Sequence, residues 1–254
     1  MKLKIDNEMS NEAYHKAPGL SSSTLRKMKP TPAHCKAYME NKPVPTAEMQ
    51  FGTLAHLWCL EPGKFEAETI LWDGGSKVKN KKAWTEFKAE NTDRLILDIA
   101  ELHRISSIGT TFSHLMNGHP ETVEVSMFWE DDETKTVCKS RPDIIIGNEL
   151  WDFKTCKSAD ERDINKEIWS RGLYIQAAWY LRGARENGMD VTDFGFCFVE
   201  KTPPFAGRLV KLDPGYLAIG EATATRLLLE YADCKAVDMW PGYDNIKVEV
   251  PAWA

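Results

Sequence analysis

A chain of 254 residues, 43% of them hydrophobic, can bury one substantial core, and one domain spanning 1–254 is expected rather than two small ones. The first twenty residues, MKLKIDNEMSNEAYHKAPGL, hold no apolar run like a signal peptide's. No stretch approaches the ~20 apolar residues of a membrane span, so a cytoplasmic chain without membrane contact is expected. The net charge of −6 excludes a generally basic coat for nucleic acid but leaves room for a local basic track, because binding phosphates requires clustered Lys and Arg. Cys35, Cys59, Cys138, Cys156, Cys197 and Cys234 are scattered without a C-x-x-C pair, which predicts free thiols and no iron–sulfur cluster.

In chain order, Leu20 followed by Ser21, Ser22 and Ser23 predicts a helix start with a serine cap and an apolar staple, and Pro30 and Pro32 break and restart the helix. KPVP at 42–45 is a connector, so 1–45 reads as an N-terminal helical segment and 46–254 as the main core. Thr46 to Leu60, containing FGTLAHLWCL, predicts a second helix. A short extended piece at Thr69 to Trp72 leads into GGSKVKNKKAW, a stretch expected to be mobile. Its Lys77, Lys79, Lys81 and Lys82 are one candidate phosphate-binding patch, and Arg26, Lys27 and Lys29 are another. The plainer reading of each is a solvated face.

From Asp93 to Met116 the apolar residues Leu95, Ile99, Leu102, Ile105, Ile108, Phe112 and Leu115 recur every three or four positions, predicting one buried helix stripe. At Glu121 the pattern changes. ETVEVSMFWE, TKTVCKSRPDIIIG and ELWDFKT are rich in β-branched and aromatic residues and are separated by EDDE and Gly147-Asn148, predicting a β-meander. Helices at 160–170 and 174–186, strands at 194–200 and 208–212 and a last helix at 214–232 complete the order. This is an α/β or α+β chain with a central mixed sheet flanked by helices.

The acid-x-Lys triplet occurs five times, but context sets Asp152 and Lys154 apart: in LWDFKT, strand alternation puts both on one face and Trp151 and Phe153 on the other. If Gly147-Asn148 turns the chain, Asp143 of SRPD approaches Asp152 from the neighbouring strand. Paired carboxylates repel unless a proton or cation lies between them, and Mg²⁺ suits such a site; a structural salt bridge from Lys154 is the alternative. In YIQAAWY, Gln176 and Tyr180 stand at i and i+4 and share a helix face that can hang over the same site. His56, in GTLAH among Leu54, Leu57 and Trp58, is either a satisfied core histidine or a metal ligand.

The ordered set G-T-x-x-H, R-P-D, W-D-F-K-T and Q-x-x-x-Y resembles the RecB-like branch of the PD-(D/E)xK nucleases. With LSSSTLRKM, GTLAHLWCLEPGKF and CKSRPDIII, the chain is similar in particular to RecE-type (exonuclease VIII) nuclease domains. The resemblance implies a restriction-endonuclease-like core and one or two Mg²⁺ ions, replaceable by Mn²⁺, held by Asp143, Asp152, His56 and the Phe153 main-chain carbonyl, with Glu124 near a second ion. Lys154 would position the attacking water, and Gln176 and Tyr180 would hold the lysine or the phosphate. It further implies 5′-to-3′ resection of duplex DNA ends, a RecT-like single-strand annealing partner, a ring of three or four copies, and a phage or prophage origin in a bacterial host. Arg26 is the candidate for a 5′-phosphate. The rival readings are a structure-specific endonuclease or a repair nuclease of other polarity on the same fold, and a non-catalytic DNA-binding module.

Overall fold

The computed structural model describes residues 4–41, 43–118, 120, 122–246 and 250. Lys42 of the KPVP connector and Glu121, where strand character begins, lie outside the described residues. The chain opens with β1 (Lys4–Asp6), α1 (Asn11–Lys16), β2 (Leu20–Ser21), the one-turn α2 (Ser22–Leu25) with a 3-10 turn at Arg26–Met28, and α3 (Pro32–Glu40). Then come α4 (Ala47–Leu60), α5 (Pro62–Glu68), β3 (Thr69–Trp72), α6 (Lys81–Glu90), β4 (Leu95–Asp98) and α7 (Ile99–Leu115). Strands β5 (Thr122–Val123), β6 (Ser126–Glu130), β7 (Val137–Ser140), β8 (Ile144–Ile146) and β9 (Glu149–Cys156) follow. The order ends with α8 (Glu161–Ser170), α9 (Leu173–Glu186), β10 (Asp193–Glu200), β11 (Gly207–Lys211) and α10 (Pro214–Val237).

A five-stranded mixed sheet, β11-β10-β9-β8-β5, forms the centre, with β9 and β10 parallel and the other pairs antiparallel. Strand alternation divides the core into two clusters. Trp151 and Phe153 of β9 join Cys197 and Val199 of β10 under α4 and α7, while Leu150, Phe194, Phe196 and Phe198 join the buried residues of α9 and α10 on the opposite face. The six cysteines are buried free thiols. Among the described residues no helix is long and apolar enough to cross a membrane.

Three expectations are corrected. The run Asp93 to Met116 is not one helix: Leu95–Asp98 is a strand, parallel to β3, and Asp98 caps α7 in a capping box with Glu101. Leu95 and Ile99 lie four residues apart and so mimic a helix stripe, but the cap marks where the helix starts. The three extended runs do not form a meander in one sheet, because two of them bend midway, at 124–125 and at 141–143. β5 and β8 belong to the central sheet, whereas β6 and β7 belong to a second sheet ordered β1-β6-β7-β2. The N-terminal segment is not simply helical, since it supplies both outer strands of that second sheet and core residues Leu20, Leu25, Met28 and Cys35. In the GGSKVKNKKAW stretch, Trp72 donates to the Gly75 carbonyl at 2.8 Å, and Lys81 begins α6.

Helix α9 follows Gly172, whose φ of +64° lies in the left-handed region that suits glycine, and a Cβ there would come within 3.4 Å of the Arg26 side chain. On its far side α9 meets α10 so closely that a Cβ on Gly220 would overlap the Tyr174 carbonyl, a backbone atom with little freedom to retreat. Gly220→Ala is therefore expected to lower the free energy of unfolding by about 1–3 kcal/mol, the usual cost of overpacking. Urea denaturation measures it, and an unchanged midpoint would contradict so close a helix contact.

Candidate active site

The two bends bring the site together. Pairing between β5 and β8 ends at Val123↔Ile144, and pairing between β6 and β7 begins at Met127↔Ser140. Between them Glu124 takes a left-handed conformation (φ +54°) and donates its N–H to the Asp143 carbonyl at 3.0 Å. Pro142 has no N–H to continue a ladder. The chain thus changes sheets where it delivers Glu124 and Asp143.

On the central strand, pairing between β8 and β9 reaches only as far as Ile144↔Trp151. Beyond it the next outward N–H, that of Phe153, donates to Asp143 Oδ2 at 2.7 Å, so a side chain replaces the missing strand. Asp152 and Lys154 face α9, as strand alternation predicts. Gln176 donates from Nε2 to Asp152 Oδ1 at 2.5 Å, and the Lys154 ammonium lies against Oδ2. Gln176 therefore fixes the aspartate. Asp143 and Asp152 are 6% and 1% exposed, so bulk water cannot screen their mutual repulsion.

Helix α4 brings His56 across from the other side. Its Nε2 lies 2.9 Å from Asp143 Oδ2 and its Nδ1 3.4 Å from Glu124 Oε1, with the ring tilted against Phe153 at 5.6 Å. Arg141 Nε lies 2.7 Å from Glu124 Oε2 and also donates to the Glu124 carbonyl at 2.9 Å. The sequence alone assigns Arg141 no role; its signal is a cation two residues before the aspartate, inside an extended run.

The charges divide the two carboxylates. Burial and the Asp143 charge push Asp152 up to about 6, against the opposing pull of Lys154 and His56. Burial would also raise Asp143, but His56, Lys154 and the Phe153 N–H hold it below the usual range. Burial disfavours a charged His56, yet Asp143 and Glu124 outweigh it and raise the imidazole well above its ordinary value. Burial and then the Asp152 charge raise the Tyr180 hydroxyl well above the ordinary tyrosine value.

Arg26 reaches the same neighbourhood. Burial lowers its pKa, while Tyr180 and Asp152 oppose that shift, and its Nη1 donates to the Arg171 carbonyl at 3.1 Å. The Ser21 hydroxyl caps α2 by accepting from the Thr24 N–H, so that donor is engaged within the chain. The lysine patch lies apart from these contacts. Lys77 pairs with Asp98 at 2.9 Å and Glu101 at 3.3 Å, while Lys79, Lys81 and Lys82 are exposed, Lys82 lying 3.9 Å from Glu86.

Ligand atoms of His56, Glu124 and Asp143 lie within 4.8 Å of one another, a donor set of one imidazole and two carboxylates that fits a divalent cation. A mixed sheet with Asp143 at the bend before β8, Asp-x-Lys on the neighbouring β9 and Gln176 of α9 on Asp152 defines a PD-(D/E)xK-type domain. The family described as "PDDEXK-like domain of unknown function (DUF3799)" matches residues 21–249, and the chain belongs to it. Among solved structures it is similar to a protein described as "Putative exonuclease" from Eubacterium rectale, at 15% identity over 89% of this chain and 87% of that one, with a TM-score of 0.60. The protein SSO0001 is more distant, at 14% identity over 85% and 77% of the two chains and a TM-score of 0.38. No curated protein matches the sequence.

Asp143 and Glu124 favour the protonated form of His56, and the imidazole must lose that proton to ligate an ion. Binding of Mn²⁺ at pH 7 should therefore release about one proton. Calorimetry in buffers of different ionisation enthalpy reads this number. His56→Ala should remove the release, and a heat independent of buffer in the unaltered protein would show that His56 does not take part.

Proposed function

We propose that the chain is a divalent-metal-dependent exonuclease acting on duplex DNA ends, removing the 5′-terminated strand and leaving 3′ single strands. The observation that carries this reading is the convergence of Asp143, Asp152, Lys154 and His56 on one partly closed site. Asp143, Asp152, His56 and the Phe153 carbonyl would hold Mg²⁺ or Mn²⁺, and Glu124 stands next to them. The bound ion supplies a polarised phosphate oxygen and a water acidified toward hydroxide.

The chain's own residues supply the rest. Lys154, released from Asp152, orients the attacking water and offsets charge on the phosphate as the bond to the leaving oxygen breaks. Gln176 keeps Asp152 from rotating away, and Tyr180 closes the site beside it. Arg26 is the candidate to meet a terminal 5′-phosphate.

The RecE-type resemblance supports the finer parts of the reading: 5′-to-3′ polarity, a RecT-like annealing partner in recombination, a phage or prophage origin and a cytoplasmic site of action. A homo-oligomeric ring of three or four copies answers the charge problem. One chain of net charge −6 holds a polyanion poorly, whereas several copies of the Lys79, Lys81 and Lys82 surface facing one channel add their fields.

End-labelled linear duplexes bearing 5′-phosphate or 5′-hydroxyl ends, digested with Mg²⁺, Ca²⁺ or EDTA, test this reading. Mg²⁺-dependent release of nucleotides from 5′ ends is expected. Asp143→Ala and Asp152→Asn should abolish it, and Lys154→Ala should slow it by ~100-fold. Digestion at the normal rate by all three would place the chemistry elsewhere, and release from 3′ ends or internal sites would favour the repair-nuclease or endonuclease alternatives. Arg26→Ala should erase the advantage of phosphorylated ends without stopping hydrolysis, and light scattering should give a mass of several chains.

A further inference from the structure

The geometry points to Arg141 and Glu124 as a positioning pair for His56, in which Glu124 is the outer partner of the histidine and Arg141 holds Glu124 in place. This inference rests on the metal-site reading above.

The two ring nitrogens of His56 have different neighbours. Nε2 faces Asp143 Oδ2 at 2.9 Å, and Nδ1 faces Glu124 Oε1 at 3.4 Å. Because these nitrogens point away from each other, an ion shared by His56 Nε2 and Asp143 leaves Nδ1–H free to donate to Glu124. A carboxylate there fixes the tautomer and ring orientation and strengthens the imidazole as a ligand. Glu124 in turn cannot drift, because Arg141 Nε contacts both its carboxylate, at 2.7 Å, and its main-chain carbonyl, at 2.9 Å. That double contact also secures the left-handed backbone at Glu124, a conformation that costs a non-glycine residue about 1 kcal/mol or more.

Arg141 is itself braced. It is 6% exposed, its Nη2 donates to the Met9 carbonyl at 3.0 Å, and its guanidinium sits over the Tyr14 ring at 5.4 Å. Two residues earlier Lys139, on β7, donates to the Tyr14 and Ala17 carbonyls at 2.8 and 2.7 Å. The segment from Met9 to Ala17 precedes residue 21, where the match to the family begins, so the brace lies outside the region this chain shares with that family.

The test measures Mn²⁺ affinity by calorimetry on the full chain without DNA, alongside thermal melting, for Glu124→Gln, Arg141→Lys and the double variant. Each single variant should bind Mn²⁺ about 10-fold more weakly, the usual cost of losing an outer partner. The double variant should bind no more weakly than either single one, because both act along one line. Long-range ¹H–¹⁵N spectra of the Mn²⁺-free, Zn²⁺-loaded chain should show His56 protonated at Nδ1, and Glu124→Gln should shift that resonance. If Arg141→Lys only lowers the melting temperature while Mn²⁺ affinity holds, Arg141 is merely structural. Should Arg141→Lys fail to fold, Glu124→Gln still decides: unchanged affinity and an unmoved His56 resonance overturn the pairing. Failure of the unaltered chain to bind Mn²⁺ at all overturns the metal-site reading itself.

Discussion

Two carboxylates buried side by side, Asp143 and Asp152, are the constraint on which the rest of this structure depends. Neither can be charged at little cost in so enclosed a place, and together they repel. Their surroundings are arranged to make the pair tolerable: Phe153 N–H and His56 on Asp143, Gln176 and Lys154 on Asp152. The compensating groups come from three elements, β9, α4 and α9, which must all be in position before the site can exist. The compensation is incomplete, as the elevated Asp152 shows. The site holds its carboxylates only through an equal set of nearby cations, His56, Lys154 and Arg141, each in contact with one of them.

The bends at Glu124 and Asp143 put this arrangement at a border between two sheets. A straight β5–β6 strand paired with a straight β7–β8 strand would make one long ribbon, with Glu124 and Asp143 as ordinary cross-strand neighbours. Bending frees both side chains from the ladder and turns them toward α4. Proline at 142 removes one ladder donor at the bend, and Asp143 then supplies, by its side chain, the acceptor that the shortened β8 no longer offers to Phe153. Local disruption of pairing and assembly of the site are therefore the same event, a common pattern where strands end or bend near functional groups.

This explains what could and could not be read from the sequence. The partition of Asp152 and Lys154 from Trp151 and Phe153 was legible because strand alternation is strictly local, and so were the i, i+4 pair Gln176 and Tyr180 and the helices and strands after residue 160. The strand Leu95–Asp98 was not, because four apolar residues at a helix boundary satisfy a helical stripe as well as a strand; only the Asp98 and Glu101 box distinguishes them. The second sheet was not legible either. Its strands continue the hydrophobic runs of the first without a break in composition, and its edges come from the distant β1 and β2. Glu124 was visible as a residue but not as a neighbour of His56, since the two lie 68 positions apart in the chain.

Charge distribution connects the site to its substrate class. With 38 acidic against 32 basic residues, the chain cannot rely on long-range attraction to DNA, and cations matter according to whether they are free to meet a phosphate. Lys77 is engaged by Asp98 and Glu101, Lys139 by main-chain carbonyls, and Arg141 by Glu124 and Met9, so these three serve the fold. Arg26 differs in kind: its hydrogen bonds go to neutral carbonyls of Ser22 and Arg171, which satisfy its donors without cancelling its charge. The carboxylate that acts on it through space is Asp152. Its charge is thus opposed through space by Asp152, in contrast to Lys77 and Arg141, whose carboxylate partners are in direct contact.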